Sequence, residues 1–144
     1  MWKIKSLSQM TSLEFYQCLK LRINTFVVEQ SRIYPELDDD DLHALHVYHL
    51  NDQNQVDAYA RVFLVDDHIV FGRVVVAKSA RHTGLATALM HHIMEACRQL
   101  GSKPIVILAQ EQVVGYYKHF GFKTSGEPFI HESTPHVKMT LEDY

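Results

Sequence analysis

The sequence predicts an α/β fold, in which a mixed antiparallel and parallel sheet carries helices on both faces. Short turns separate three predicted strands, His46–Leu50, Val56–Val65 and Ile69–Val76. Such turns are typical of an antiparallel meander. A helical pattern over 84–100 then leads to the apolar run Pro104–Ala109, and a strand–helix–strand crossover implies a parallel pair. At 144 residues, the whole chain, 1–144, is expected to form a single domain.

The chain begins with a predicted strand and a predicted helix. Trp2–Ser6 is a candidate edge strand, and Ser12 is a candidate helix N-cap with Glu14 close behind it. Apolar residues then recur at helical spacing, at Phe15, Leu19, Ile23 and Phe26. The next segment, 31–45, contains the acidic run Asp38–Asp41, which is either a solvated loop or part of a binding site.

The strand Ile69–Val76 leads through the polar loop Ala77–Thr83 into the helical pattern, which Gly101 ends as a C-cap glycine. The first turn of a helix has backbone N–H groups without partners and the positive end of the helix dipole. The sequence there is Arg-x-x-Gly-x-Ala, from Arg81 to Ala86. Small residues let the backbone approach a phosphate, and the arginine adds charge. The pattern predicts a pyrophosphate-binding loop, with an ordinary helix N-terminus as the alternative.

A second motif follows in the last third of the chain. Glu111–His119 is a predicted helix that runs into Tyr117-Lys-His-Phe-Gly121-Phe122, and a half-exposed strand follows over 136–141. In this order and spacing, the two motifs resemble the GNAT superfamily of acyl-CoA-dependent N-acetyltransferases, over nearly the whole chain. Two positions depart from the common pattern of that superfamily, Gln110 in place of an asparagine and Ala86 in place of a second glycine.

A narrower resemblance, to the ElaA-like branch of the superfamily, is carried by several short motifs. These are Arg22-x-x-x-Phe26-Val-Val-Glu29-Gln30, Tyr34-x-Glu36-x-Asp38, His46, Gly72-Arg73-Val74, Ala109-Gln110 and Pro135-His136. The resemblance implies the GNAT fold and an enzyme that moves an acetyl group from acetyl-CoA to a primary amine of a small molecule or peptide. The alternative function is a non-catalytic acyl-CoA-binding module on the same fold.

The resemblance also implies which residues bind coenzyme A. The pantetheine would pair with Val74 and Val76, an N–H group of Val74 or Val75 would face the thioester oxygen, and the pyrophosphate would lie on the helix N-terminus. The full expected set is Val74, Val75, Val76, Arg81, His82, Thr83, Gly84, Leu85, Ala86, Gln110 and Tyr117. Tyr117 matches the family tyrosine that protonates the departing thiolate, with a packing role on its helix as the alternative.

The amine site is less defined by the sequence. Its expected residues are Glu29, Gln30, Tyr34, Asp41, His46, Arg73 and His136. Because Ile69–Val76 contains no acid, the candidate bases are Glu29, Asp38–Asp41, His46, His136 or a chain of waters reaching one of them. The acids favour a small cationic amine or a lysine-like side chain as substrate, unless the acidic run only keeps the protein soluble.

Composition excludes several other functions. The net charge of −3 and the lack of a basic cluster argue against nucleic acid, and no apolar run approaches the roughly 18 residues of a membrane span. Cys18 and Cys97 are expected to be buried thiols, which suits a cytoplasmic protein. The histidines lack metal-site spacing, so no metal is expected. A homodimer stays an open alternative.

Overall fold

The computed structural model describes residues 1–131 and 133–144. Within these residues there are seven strands: β1 (Trp2–Ser6), β2 (Leu45–Leu50), β3 (Val56–Val65), β4 (His68–Val76), β5 (Ile105–Gln110), β6 (Lys123–His131) and β7 (Thr134–Leu141). They form one sheet in the order β1-β2-β3-β4-β5-β7-β6. Neighbouring strands are antiparallel except β4 and β5, which are parallel. The predicted mixed sheet is therefore confirmed.

The helices begin close to their predicted positions. They are α1 (Ser12–Arg22), which continues directly into a π-helix (Ile23–Glu29), α2 (Leu85–Gln99) and α3 (Val114–His119). The predicted N-cap of α1 is wrong by one residue, because Thr11 forms the cap. The Glu14 N–H donates to Thr11 Oγ1 at 3.0 Å and the Thr11 N–H donates to Glu14 Oε1 at 2.9 Å. This reciprocal box needs a Glu or Gln three residues after the cap, and Thr11 satisfies that spacing whereas Ser12 does not.

Helices pack on both faces of the sheet, as the sequence predicts. One face of β3 presents Ala58, Ala60 and Val62 to the main core, where Leu89 and Ile93 of α2 are fully buried. Its opposite face presents Tyr59 to a second core that contains Cys18 of α1. The middle of β3 is thus buried on both sides, while Leu64, near its end, is partly exposed.

The strand β6 was not predicted from the sequence, and its burial explains why. Every one of its residues is exposed at the edge of the sheet, so no alternation of buried and exposed positions marks it. It also contains Gly126 and Pro128, residues that are depleted in strands and confined mostly to edges and bulges.

The central strands β4 and β5 diverge after a single paired position. They pair at Ile69 and Ile105, next to a hydrogen bond from the Ile69 N–H to the Pro104 carbonyl at 2.8 Å. On its other edge β4 contains a bulge, because Arg73 and Val74 together oppose one residue of β3. Arg73 adopts a left-handed conformation there, with φ of 52°. The result is an open cleft between β4 and β5.

Candidate active site

The cleft between β4 and β5 brings together the main predicted chemical groups. Residues 71–74 of β4 and 107–110 of β5 form its walls, and Tyr117 of α3 and His136 of β7 complete it. Val113, just before α3, also lines it. Two of the predicted substrate residues, Arg73 and His136, therefore share one space with Tyr117.

The bulge in β4 directs backbone N–H groups into this cleft. The Ala77 N–H donates to the Asp57 carbonyl on β3 at 2.8 Å. In an antiparallel ladder these directions alternate, so the N–H of Val75 also points to β3, while those of Val74 and Val76 point toward β5. Of the two N–H groups that the sequence leaves open for the thioester oxygen, the one on Val74 therefore faces the cleft.

Tyr117 packs in the wall of the cleft with its phenol protonated. Its ring lies against Phe71 and Phe122, with centroids 6.0 and 5.7 Å away. Burial, with a smaller contribution from Tyr116, raises the pKa of Tyr117 to about 12. Within the described residues, its hydroxyl has no hydrogen-bond partner. The side chain thus packs through its ring and retains a free proton donor.

The N-terminus of α2 has the form of an anion-binding loop. Gly84 caps the helix in a left-handed conformation with φ of 84°, and a Cβ built there would meet no atom within 4 Å. The Ala88 N–H makes a hydrogen bond to the Gly84 carbonyl at 3.2 Å. The N–H groups of Leu85 and Ala86, which precede it in the first turn, therefore have no intrahelical acceptor. His82 and Thr83, in the loop before Gly84, are exposed.

Arg81 of this loop forms an ion pair with Glu29 at the end of the π-helix. Its Nη1 and Nη2 atoms donate to the two Glu29 carboxylate oxygens at 3.1 and 3.0 Å, and its Nε donates to the Val76 carbonyl at 3.1 Å. The hydrogen bond from Arg81 lowers the pKa of Glu29. A predicted phosphate-binding residue and a predicted substrate-binding residue are therefore each other's partners, and Gln30 lies exposed beside them.

A buried network of arginines and carboxylates lies between α1, the 31–45 segment and the sheet. Arg22, which is 0% exposed, donates from Nε to Glu36 Oε2 at 2.6 Å and from Nη1 to Asp41 Oδ1 at 2.8 Å. Arg61 contacts Asp38 at 2.6 Å and Asp41 at 3.2 Å. These contacts hold Asp38 and Asp41 of the acidic run against the sheet, while Asp39 of the same run is exposed to solvent.

Arg73 extends this network to the edge of the cleft. Its Nε donates to Glu36 Oε2 at 3.0 Å, and the Tyr34 hydroxyl donates to the other oxygen of the same carboxylate. Three guanidinium groups therefore face four carboxylates, those of Glu36, Asp38 and Asp41 and, at 4.0 Å from Arg61, that of Asp40. The buried acids are therefore paired with arginines, in place of the open acidic pocket that the sequence favours.

Two predicted substrate residues lie inside this network, away from the cleft. Asp41 is 2% exposed; burial alone would raise its pKa, but the hydrogen bond and charge of Arg22 lower it. His46 is 0% exposed, with Nδ1 2.6 Å from the Tyr59 hydroxyl and Nε2 3.0 Å from the Asp41 carbonyl. Burial lowers the pKa of this imidazole, which therefore holds the network as a neutral ring. In the structure, both side chains are therefore occupied by contacts within the network.

Arg61 is a charged residue of the network that the sequence predictions do not include. It lies in β3 between buried apolar neighbours, and its guanidinium also stacks over Phe63 with its Cζ 5.4 Å from the ring centroid. A charged residue in the middle of a buried strand needs a partner of opposite charge, and this is the sequence signal that could have identified it.

His136 occupies the β7 side of the cleft. It pairs in the β5–β7 ladder with Gln110, and its Nδ1 lies 2.9 Å from the Thr134 carbonyl. In the described part of the chain, no group of three or more His, Cys, Asp or Glu side chains is placed to hold a metal ion. Nor is any helix there long and apolar enough to cross a membrane.

Comparisons with known proteins point to one family. The model of the acetyltransferase (GNAT) domain matches residues 9–143. A UPF0039 protein of Schizosaccharomyces pombe is 37% identical over 132 residues, which cover 90% of this chain and 88% of that protein. The solved structure of an acyl-CoA N-acyltransferase from Pseudomonas aeruginosa superposes with a TM-score of 0.91 at 33% identity, covering 97% of both chains. Escherichia coli ElaA superposes with a TM-score of 0.90 at 31% identity, covering 99% of both chains.

Proposed function

The chain belongs to the GNAT acetyltransferase family, as its motifs predict, and we propose that it is an acetyl-CoA-dependent N-acetyltransferase. Its acceptor is a primary amine on a small molecule or peptide, and the amine attacks the thioester directly. The observation that carries this proposal is that Val74, Tyr117 and His136 line one cleft. The two buried thiols, Cys18 and Cys97, support a cytoplasmic setting.

Coenzyme A is proposed to bind along β4 and the N-terminus of α2. The exposed N–H groups of the first turn of α2 and the open space at Gly84 fit a pyrophosphate. Arg81 belongs to the same loop, and three of its five N–H groups are used by Glu29 and the Val76 carbonyl, which leaves two for a phosphate oxygen. The pantetheine arm then pairs with the backbone of Val74 and Val76, on the edge of β4 that β5 leaves open.

Acyl transfer to an amine requires a polarised thioester carbonyl and a proton for the leaving thiolate. The bulge directs the Val74 N–H into the cleft, where it would stabilise the developing oxyanion. Tyr117 keeps its proton at neutral pH because its pKa is raised to about 12. Its hydroxyl is therefore the proposed donor to the sulfur as the C–S bond breaks.

The proposal is tested by thiol release from acetyl-CoA across a panel of primary amines. Tyr117→Phe should lower kcat by about 10²-fold, the usual contribution of a general acid, while KM for acetyl-CoA changes little. Tyr116→Phe is the matched control, because Tyr116 is the adjacent residue of α3 and is 41% exposed. Equal kcat for wild type and Tyr117→Phe at every pH would assign Tyr117 to packing alone.

The alternative function, a non-catalytic acyl-CoA-binding module, predicts a different outcome in the same assay. Such a module would bind coenzyme A in a calorimetric titration, yet it would release no thiol with any amine in the panel. That combination of results would overturn the enzymatic proposal and leave the cofactor site standing.

A further inference from the structure

The cleft offers few groups that could remove a proton from an ammonium substrate. Glu29 is held by Arg81, and Asp41 is held by Arg22 and Arg61. His46 uses both ring nitrogens inside the buried network. These candidates, which the sequence leaves open, are therefore each occupied by another part of the protein.

His136 differs from them in the hydrogen bonds of its two ring nitrogens. The side chain lines the cleft, and its Nδ1 lies 2.9 Å from the Thr134 carbonyl. A carbonyl oxygen only accepts hydrogen bonds, so Nδ1 carries the ring proton of the neutral imidazole. Nε2 then presents a lone pair, and among the described residues it has no hydrogen-bond partner. The backbone thus fixes the tautomer that a base requires.

The groups around His136 are compatible with this role. His131 of β6 meets its ring edge to face, with centroids 5.1 Å apart. Gln110 of β5 is its uncharged ladder partner. Across the cleft stand Tyr117, which is protonated, and Arg73, whose charge is offset by Glu36 at 3.0 Å. No unpaired carboxylate from the described residues lines the cleft beside it.

We propose that His136 is the general base of the acetyl transfer, a role that rests on the proposed acetyltransferase function. Nε2 takes one proton from the substrate ammonium and leaves a neutral amine. The amine nitrogen forms a bond to the thioester carbon, and the C–S bond breaks as the sulfur takes the proton of Tyr117. One of the two protons on the acylated nitrogen passes to the Tyr117 oxygen, which leaves the amide N–H, and His136 releases its proton to solvent. The net products are the amide, the free thiol and one proton.

The test compares two variants at His136 with a control at His131. Asn is the primary substitution, because its amide nitrogen reproduces the Nδ1 donor to Thr134 while Nε2 is lost. Gln is the second substitution, and it also lacks a base. His131→Gln is the control, because His131 is an exposed histidine that contacts the His136 ring from β6 outside the cleft. For each protein, kcat/KM for an amine that the wild type acetylates is measured from acidic to alkaline pH, and coenzyme A affinity is measured by calorimetry.

Both His136 variants should lose about 10²-fold in kcat/KM near neutral pH while binding coenzyme A as the wild type does. The loss should shrink as the pH rises, because free amine then forms without a base. His131→Gln should follow the wild-type profile. A deficit that is equal at every pH, or no deficit, would overturn the role of His136 and leave the acetyltransferase function intact. A wild type that binds coenzyme A and acetylates no amine would overturn both.

Discussion

Removing one partner from the buried arginine–carboxylate network should destabilise the protein, and Arg22→Met tests this. Arg22 is fully buried and donates to Glu36 Oε2 at 2.6 Å, to the Glu36 carbonyl at 3.0 Å and to Asp41 at 2.8 Å. Methionine fills much of the same space without the charge. Breaking a buried ion pair by removing one partner costs about 3–5 kcal/mol, since a charge is left buried without compensation.

The structure indicates that the decrease in the free energy of unfolding should lie at the lower end of that range. After the substitution, Asp41 still has Arg61 at 3.2 Å and Glu36 still has Arg73 at 3.0 Å. We expect Arg22→Met to lower the free energy of unfolding by about 3 kcal/mol. For a protein of this size, that corresponds to a decrease in Tm on the order of 10 °C. Because the pKa of Asp41 is lowered in the folded protein, the stability that it contributes is present above its unfolded value and lost as pH falls. The difference between wild type and Arg22→Met should therefore narrow below about pH 4.

The measurement is urea and thermal unfolding of the wild type, Arg22→Met and Arg98→Met. Arg98 is the matched control, since it forms an ion pair with Glu95 at 3.6 Å on the surface of α2 and is about half exposed. Exposed pairs contribute at most about 1 kcal/mol. If Arg22→Met and Arg98→Met unfold with the same free energy, the loss of Arg22 does not leave a costly unpaired charge in the interior.

Two further predictions concern the loop before α2. Gly84→Glu should abolish calorimetric binding of coenzyme A, because its carboxylate would occupy the proposed pyrophosphate space, whereas Gly101→Glu, with a similar backbone at the other end of α2, should bind normally. Wild-type affinity in Gly84→Glu would place the phosphate site elsewhere. Glu29→Gln should tighten coenzyme A binding, because it releases Arg81 from a bidentate ion pair. Weaker binding would show that Glu29 positions the loop and does not compete with the phosphate.

The sequence predicts those parts of the fold in which burial is periodic and the chemistry is local. The strand β4 could be recognised from its continuous apolar, β-branched run, and the apolar face of α2 from a period of 3.6 residues. The phosphate loop could be recognised because its parts, Arg81 to Ala86, are contiguous in the chain. The fully exposed β6 has no such period and was missed.

The network could not be assembled from the sequence, although most of its residues were noticed there. Arg22 and Glu36 are 14 residues apart in the chain, and Arg73 and Glu36 are 37 apart. Composition gives the number of acids and bases but does not show which of them pair. The sequence therefore favours an open pocket in which the acids bind a cationic amine. The fold instead closes them onto arginines from α1, β3 and β4.

The pairing of Arg73 with Glu36 positions the backbone of the cleft. Arg73 stands in the bulge of β4 with a left-handed backbone, a conformation that costs on the order of 1–3 kcal/mol outside glycine. Its guanidinium donates a hydrogen bond to the Glu36 carboxylate, and the buried Arg22 donates to the same carboxylate. The acidic segment therefore stabilises the bulge through Arg73, and the bulge directs the Val74 N–H into the cleft. The acidic segment therefore orders the backbone of the cleft, because its buried acids, Glu36 and Asp41, are paired with arginines and are not open to a cationic amine.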